Sequence, residues 1–187
     1  MVLTEGWTEY YYALGLKSSL PREKQRSITV DILPPNNENT FEQLVNKAKA
    51  KIKEKKQSGV PYDDVWLFFD KDSNSLQTSH FTNKLYRLAY CSISIEHWFI
   101  LHLEDRRGRF ASAKSAIEHL NRLWQKEFGT DYSKTTDNHY YKLCHFQATA
   151  IQRARSIEQQ TQRDETPKHE ANPFFTLPEF IDFFQSL

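Results

Sequence analysis

Asp64-Val65-Trp66-Leu67-Phe68-Phe69-Asp70-Lys71-Asp72 is the stretch that decides the fold. A nearly continuous apolar run of this kind suits a strand buried on both faces, as in a parallel sheet, and here it ends on two acids one residue apart. Upstream, Thr40 and Gln43 have capping-box spacing, and Phe41, Leu44, Val45, Ala48 and Ile52 share one face, so a helix is predicted up to Gly59 and Pro61. Ser27–Leu33 is a β-branched run ending at Pro34-Pro35, which predicts a strand. Val2-Leu3-Thr4 is a very short apolar start, Glu5-Gly6 a turn signal, and Thr8–Leu16 a helix with Thr8 as its cap.

Downstream, the pattern predicts helix around Ser75–Leu88 and a strand in Ala89–Ile95 that turns into a helix over His97–Leu103. A further amphipathic helix is expected over 112–128, with Gly129 as its C-terminal cap. A long helix is expected from Asn138 to about Gln160, a mobile polar loop over Gln159–Glu170, and a last helix over Leu177–Leu187 with Phe180, Ile181 and Phe184 facing in. Strand and helix alternate and then give way to helix. That order predicts an α/β fold with a mostly parallel sheet and a helical C-terminal portion. One domain over 1–187 is expected, with an α/β core in 1–105 and a mainly helical part in 106–187.

With 39% hydrophobic and 26% charged residues, the composition is that of a globular chain. The net charge of +1 argues against nucleic-acid binding by bulk electrostatics, so any such contact is local or shared with a partner. Cys91 and Cys144 stand far apart without a CxxC, which argues against a disulfide framework or zinc ribbon and fits a reducing compartment. Without a signal peptide or an apolar run near 18 residues, the expected location is the cytoplasm, with no membrane contact.

Three acidic groups stand where strands are expected to end. Glu5 and Glu9 flank the first helix start and share a face if the helix begins near Glu5; a start at Thr8 leaves their geometry open. Asp70 and Asp72 follow the buried strand, at the edge where open α/β sheets bind ligands. Glu96 follows Ser94-Ile95 at the next junction. Carboxylates converging on one point suit Mg²⁺ or Mn²⁺. Each acid also has an ordinary reading, as a first-turn helix charge at Glu9 and Glu96 or a loop and cap residue at Asp70 and Asp72.

The strings TEGWTE (4–9), VWLFFDKD (65–72) and SIEHWFILHLED (94–105), with Asn172-Pro173 before the last helix, resemble the RloB family along nearly the whole chain. The resemblance implies a Toprim-like, Rossmann-like domain whose metal-site core is Glu5, Asp70 and Asp72. More distant similarity to the overcoming-lysogenization-defect nucleases brings Glu9 and Glu96 into the site. Lys134, in Tyr132-Ser133-Lys134, matches a Tyr-x-Lys element of the family. The family has roles in phage defence and often sits beside an ATPase. The implied activity is Mg²⁺- or Mn²⁺-dependent phosphodiester hydrolysis of DNA or RNA, tRNA included, with an ATPase partner and a possible homo-oligomer. In that scheme Glu5 handles a proton and Lys134 steadies phosphate charge. The alternative, from a different class, is a non-catalytic subunit that binds nucleic acid or senses phage in an ATPase complex. Two departures stand out. Only four residues precede Glu5, and Ser92-Ile93-Ser94 replaces the Asn-Pro-Cys of many members.

Other features carry less. Lys47, Lys49, Lys51, Lys53, Lys55 and Lys56 make either a solvated helix face or a phosphate track. His97 and His102 lack zinc-site spacing and are expected to line the core, and no GxxxxGK[ST] is present. The aromatic tail from Phe174 to Phe184 is read as core, or as a helix docked on a partner.

Overall fold

The computed structural model describes residues 1–36, 40–71 and 75–187. Along the chain run β1 (Val2–Thr4), α1 (Trp7–Ser19), α2 (Arg22–Ser27), β2 (Ile32–Leu33), α3 (Phe41–Gln57), β3 (Trp66–Asp70), α4 (Thr78–Phe81) and β4 (Arg87–Cys91). Then come α5 (Ile95–Leu103), α6 (Ala113–Phe128), α7 (His139–Leu143), a 3₁₀ turn over Cys144–Phe146, α8 (Gln147–Arg163) and α9 (Leu177–Ser186). The strands form one parallel sheet in the order β2-β1-β3-β4. The protein is therefore α/β, and β3 occupies an interior position, as its apolar run predicts.

Alternation along the strands sorts the core into two layers. Leu3, Leu67, Phe69 and Tyr90 face α3, which presents Phe41, Leu44 and Ala48. Val2, Trp66, Phe68, Ala89 and Cys91 face the other way, onto Tyr12 and Leu16 of α1, Trp98 and Phe99 of α5, and Phe180 and Phe184 of α9. Asp70 is two residues beyond Phe68, so it lies on the α1–α5 side. There the Trp98 indole donates to the Tyr12 hydroxyl at 3.0 Å in full burial. The C-terminal stretch closes the free edge of β4. Cys91 bridges to Phe175, Ser92 N–H donates to the Phe174 carbonyl, and Thr176 both donates to Leu88 and accepts from Tyr90. An exposed ladder of unpaired backbone groups is thereby avoided. The aromatic tail is core.

Several boundaries differ from expectation. Thr40 does cap α3, accepting from Gln43 N–H, and Gly129 ends α6 with φ +67°. Ser27–Leu33 is strand only at Ile32–Leu33, and the short helix α2 before it buries no side chain. The helix expected over 75–88 is a correction. Among the described residues it shrinks to the four of α4, and Arg87 and Leu88 already belong to β4. The helix expected from Asn138 is broken by the 3₁₀ turn, and α8 continues to Arg163, into the segment read as a loop.

Candidate functional site

Because the strands are parallel, the ends of β1, β3 and β4 share one edge, and three of the four carboxyl-bearing segments leave from it. Glu5 follows β1 directly; its N–H donates to the Phe68 carbonyl at 3.0 Å, extending the ladder, and its Oε2 accepts from Asp70 N–H at 3.2 Å. Asp70 ends β3 opposite Cys91. Glu96 lies in the first turn of α5, entered through Ser92-Ile93-Ser94. Glu9 comes from the first turn of α1.

That helix starts at Trp7, with Gly6 at the cap position, so Thr8 is not the cap. The Thr8 hydroxyl instead donates to the Lys134 carbonyl at 3.2 Å and ties the lysine's loop to α1. Glycine at position 6 has a local reason: a Cβ there would collide with Glu9 Oε2. The carboxylate of Glu9 thus folds back over the turn that carries Glu5.

The site is buried and short of positive charge. Glu9 is 5% exposed and Glu96 fully buried. Burial, with Glu96 and Glu5 nearby, pushes the Glu9 carboxyl up to about 7, against some help from its own backbone hydrogen bond and Lys134. Asp70 is raised well above the usual carboxylate range by burial first, then by Glu9 and Glu96. Lys134 supplies the cation. Burial works against its charged form, but the carboxylates, Glu96 foremost, hold its pKa above the ordinary value. Its ammonium is 3.0 Å from Glu96 Oε1, which also accepts from the Tyr132 hydroxyl at 3.0 Å. Glu96 Oε2 and the Ser94 hydroxyl are buried with no hydrogen-bond partner among the described residues.

The structure therefore brings Glu5, Glu9, Asp70, Glu96 and Lys134 into mutual electrostatic reach. Asp72 lies outside the described residues. Spacing alone gave no sign of Tyr132 as a clamp on Glu96, of Thr8 as a tether or of Ser94, because each acts across tertiary contacts.

The donor set is all carboxylate, the chemistry that suits Mg²⁺ or Mn²⁺. Among the described residues no three His, Cys, Asp or Glu side chains are already gathered as a coordinating set. The donors fit a hard cation nonetheless. The Glu9 carboxyl raised to about 7, the raised Asp70 carboxyl and the orphaned Oε2 of Glu96 mark a place short of positive charge, which a divalent ion beside Lys134 would supply.

The family model for RloB-like proteins matches residues 1–183. The chain belongs to the RloB-like family. The match spans every carboxylate of the site, Lys134, and the Asn172-Pro173 segment that packs against Ser92. No curated protein and no solved structure matches this RloB-like chain.

The other features of this family member take structural places. His97 and His102 are buried, with pKa values lowered to about 4 by burial, and each ring contacts a backbone carbonyl, of Arg106 and of Trp98. In the lysine run, Lys51 pairs with Glu54, Lys55 with Asp31, and Lys47 reaches the Pro34 carbonyl. Half of the run thus serves α3 and its surroundings. No helix among the described residues is long and apolar enough to cross a membrane.

Proposed function

We propose that this RloB-like protein is a divalent-metal-dependent nuclease of the Toprim type, acting on DNA or RNA in prokaryotic phage defence. The observation that carries the reading is the burial of Glu9 and Glu96 together with the half-buried Asp70 at the carboxyl edge of a parallel sheet. Such burial costs stability, and a purely structural role would be served better by apolar side chains. Glu5, Glu9, Asp70 and Glu96, with Asp72, would hold Mg²⁺ or Mn²⁺. When bound, the ion would polarise a phosphodiester and lower the pKa of water.

The protein's own groups have distinct parts. Lys134, half-exposed, offers its ammonium to a phosphate oxygen from the solvent side of Glu96. Tyr132 keeps Glu96 turned toward the lysine. Of the carboxylates, Glu5, whose Oε2 also accepts from the Asp70 N–H, would take and return the reaction's proton where metal does not fully engage it. The defence setting and an ATPase partner rest on the family resemblance.

The test is cleavage of end-labelled single- and double-stranded DNA, RNA and tRNA, with Mg²⁺, Mn²⁺ or chelator. Cleavage of at least one substrate, abolished by chelator, is expected. No cleavage of any substrate with either metal would replace this reading with that of a binding subunit.

A further inference from the structure

Trp7 is 52% exposed, whereas Trp66, Trp98 and Trp124 are each 2% exposed or less. It begins α1, two residues from both Glu5 and Glu9, so the chain itself fixes it at the rim of the acidic site. Two tyrosines of the same turn support it. Tyr11 stacks on the indole with centroids 5.8 Å apart and planes 30° apart, and Tyr10 meets it edge-on at 5.5 Å. Tyr10 and Tyr11 also touch edge-to-face at 5.6 Å, which closes a cluster of three rings.

Core packing does not account for this cluster. The inward position of the helix belongs to Tyr12, fully buried against Phe68, Phe99 and Tyr140. Water solvates an indole poorly, and an exposed tryptophan whose ring is held in place by two neighbours is a prepared surface for a flat ligand. Aromatic faces of this kind stack on any base, provided that the base is out of a duplex.

We propose that Trp7, backed by Tyr10 and Tyr11, stacks an unpaired nucleobase of the substrate while the adjoining phosphate lies toward Lys134 and the carboxylates. The inference rests on the nuclease reading for what happens next to the base. It names the substrate class of that site: single-stranded nucleic acid, or a strand with a splayed or unpaired nucleotide. Local stacking also fits a net charge of +1, with which backbone electrostatics alone would bind weakly.

The experiment is equilibrium binding to the full chain in chelator, so that neither metal nor cleavage is needed. The probes are short labelled oligouridylate and oligothymidylate strands, an abasic strand of the same length, and a duplex. Base-bearing single strands are expected to quench the tryptophan emission that Trp7 supplies from the surface, and to bind more tightly than the abasic strand or the duplex. By fluorescence anisotropy, Trp7→Ala should weaken that binding roughly 5- to 100-fold, while Trp7→Phe keeps most of it. Tyr11→Ala gives a smaller loss. Because chelator stops cleavage in every sample, a failure of catalysis is told apart from a failure of stacking. Unchanged affinity in Trp7→Ala, or equal binding of the abasic strand, would overturn the proposal. So would loss of a self-associated form in Trp7→Ala without any effect on strand binding, which would make the cluster a protein contact. Trp7 is exposed, so an unaltered circular-dichroism melt is expected of the variant.

Discussion

Asp70→Asn is expected to lower metal-dependent cleavage by on the order of 10³-fold or more while making the metal-free protein more stable. The two effects have opposite signs for one reason. Asp70 is half-buried beside Glu9 and Glu96 with its Oδ1 out of water, and its pKa is pushed up because that setting disfavours its charge. An amide of the same shape removes that charge, so the metal-free fold relaxes, but it also removes the anionic oxygen that a cation needs. Gain of stability with loss of activity is the signature of a group kept for function. Thermal melts in chelator and single-turnover cleavage on the same preparation measure both. A variant that melts lower and keeps its activity would mean that Asp70 is a structural residue.

Glu9→Gln should flatten the pH dependence of stability in chelator. The folded-state pKa of Glu9 is raised from 4.5 to about 7. Below 4.5 both the folded and unfolded states carry the proton, and the residue's contribution is fully present. Between 4.5 and about 7 the unfolded chain ionises and the folded chain does not, so stability falls as pH rises. Above about 7 both are ionised and the loss has reached its limit, roughly 3 kcal/mol for a shift of this size. Wild type is therefore predicted to be less stable at pH 8 than at pH 5, and Glu9→Gln to lose much of that difference. Asp70 contributes in the same direction and keeps a residual slope in the variant. Urea titrations across this range decide it; parallel curves for the two proteins would contradict the burial of a protonated Glu9.

Much of the architecture is legible because it rests on local chemistry. The apolar run ending at Asp70 is a strand buried on both faces, Thr40 reaches Gln43 N–H across the first turn, and Gly129 adopts the left-handed cap. Reading fails where two periods compete. Leu85-Tyr86-Arg87-Leu88-Ala89-Tyr90 satisfies a helical stripe as well as a strand, and only pairing with β3 makes its last part β4. The break at Cys144–Phe146 has neither proline nor glycine to announce it. At the site, the order of the acids along the chain is visible, since strand ends point to one edge. Their balance is not. That Tyr132 and Lys134 meet on one oxygen of Glu96, or that Thr8 holds the Lys134 carbonyl, depends on a loop more than 100 residues from α1.

The most direct test of the central claim is calorimetric Mn²⁺ binding at neutral pH in buffers of different ionisation enthalpy, with Asp70→Asn as the control. The acidic site predicts binding by wild type accompanied by proton release, because the Glu9 carboxyl, raised to about 7, gives up its share of a proton when a cation arrives, and loss of that binding in the variant. No heat and no proton release from wild type at millimolar Mn²⁺, or equal binding by Asp70→Asn, would contradict a metal centre at this edge of the sheet.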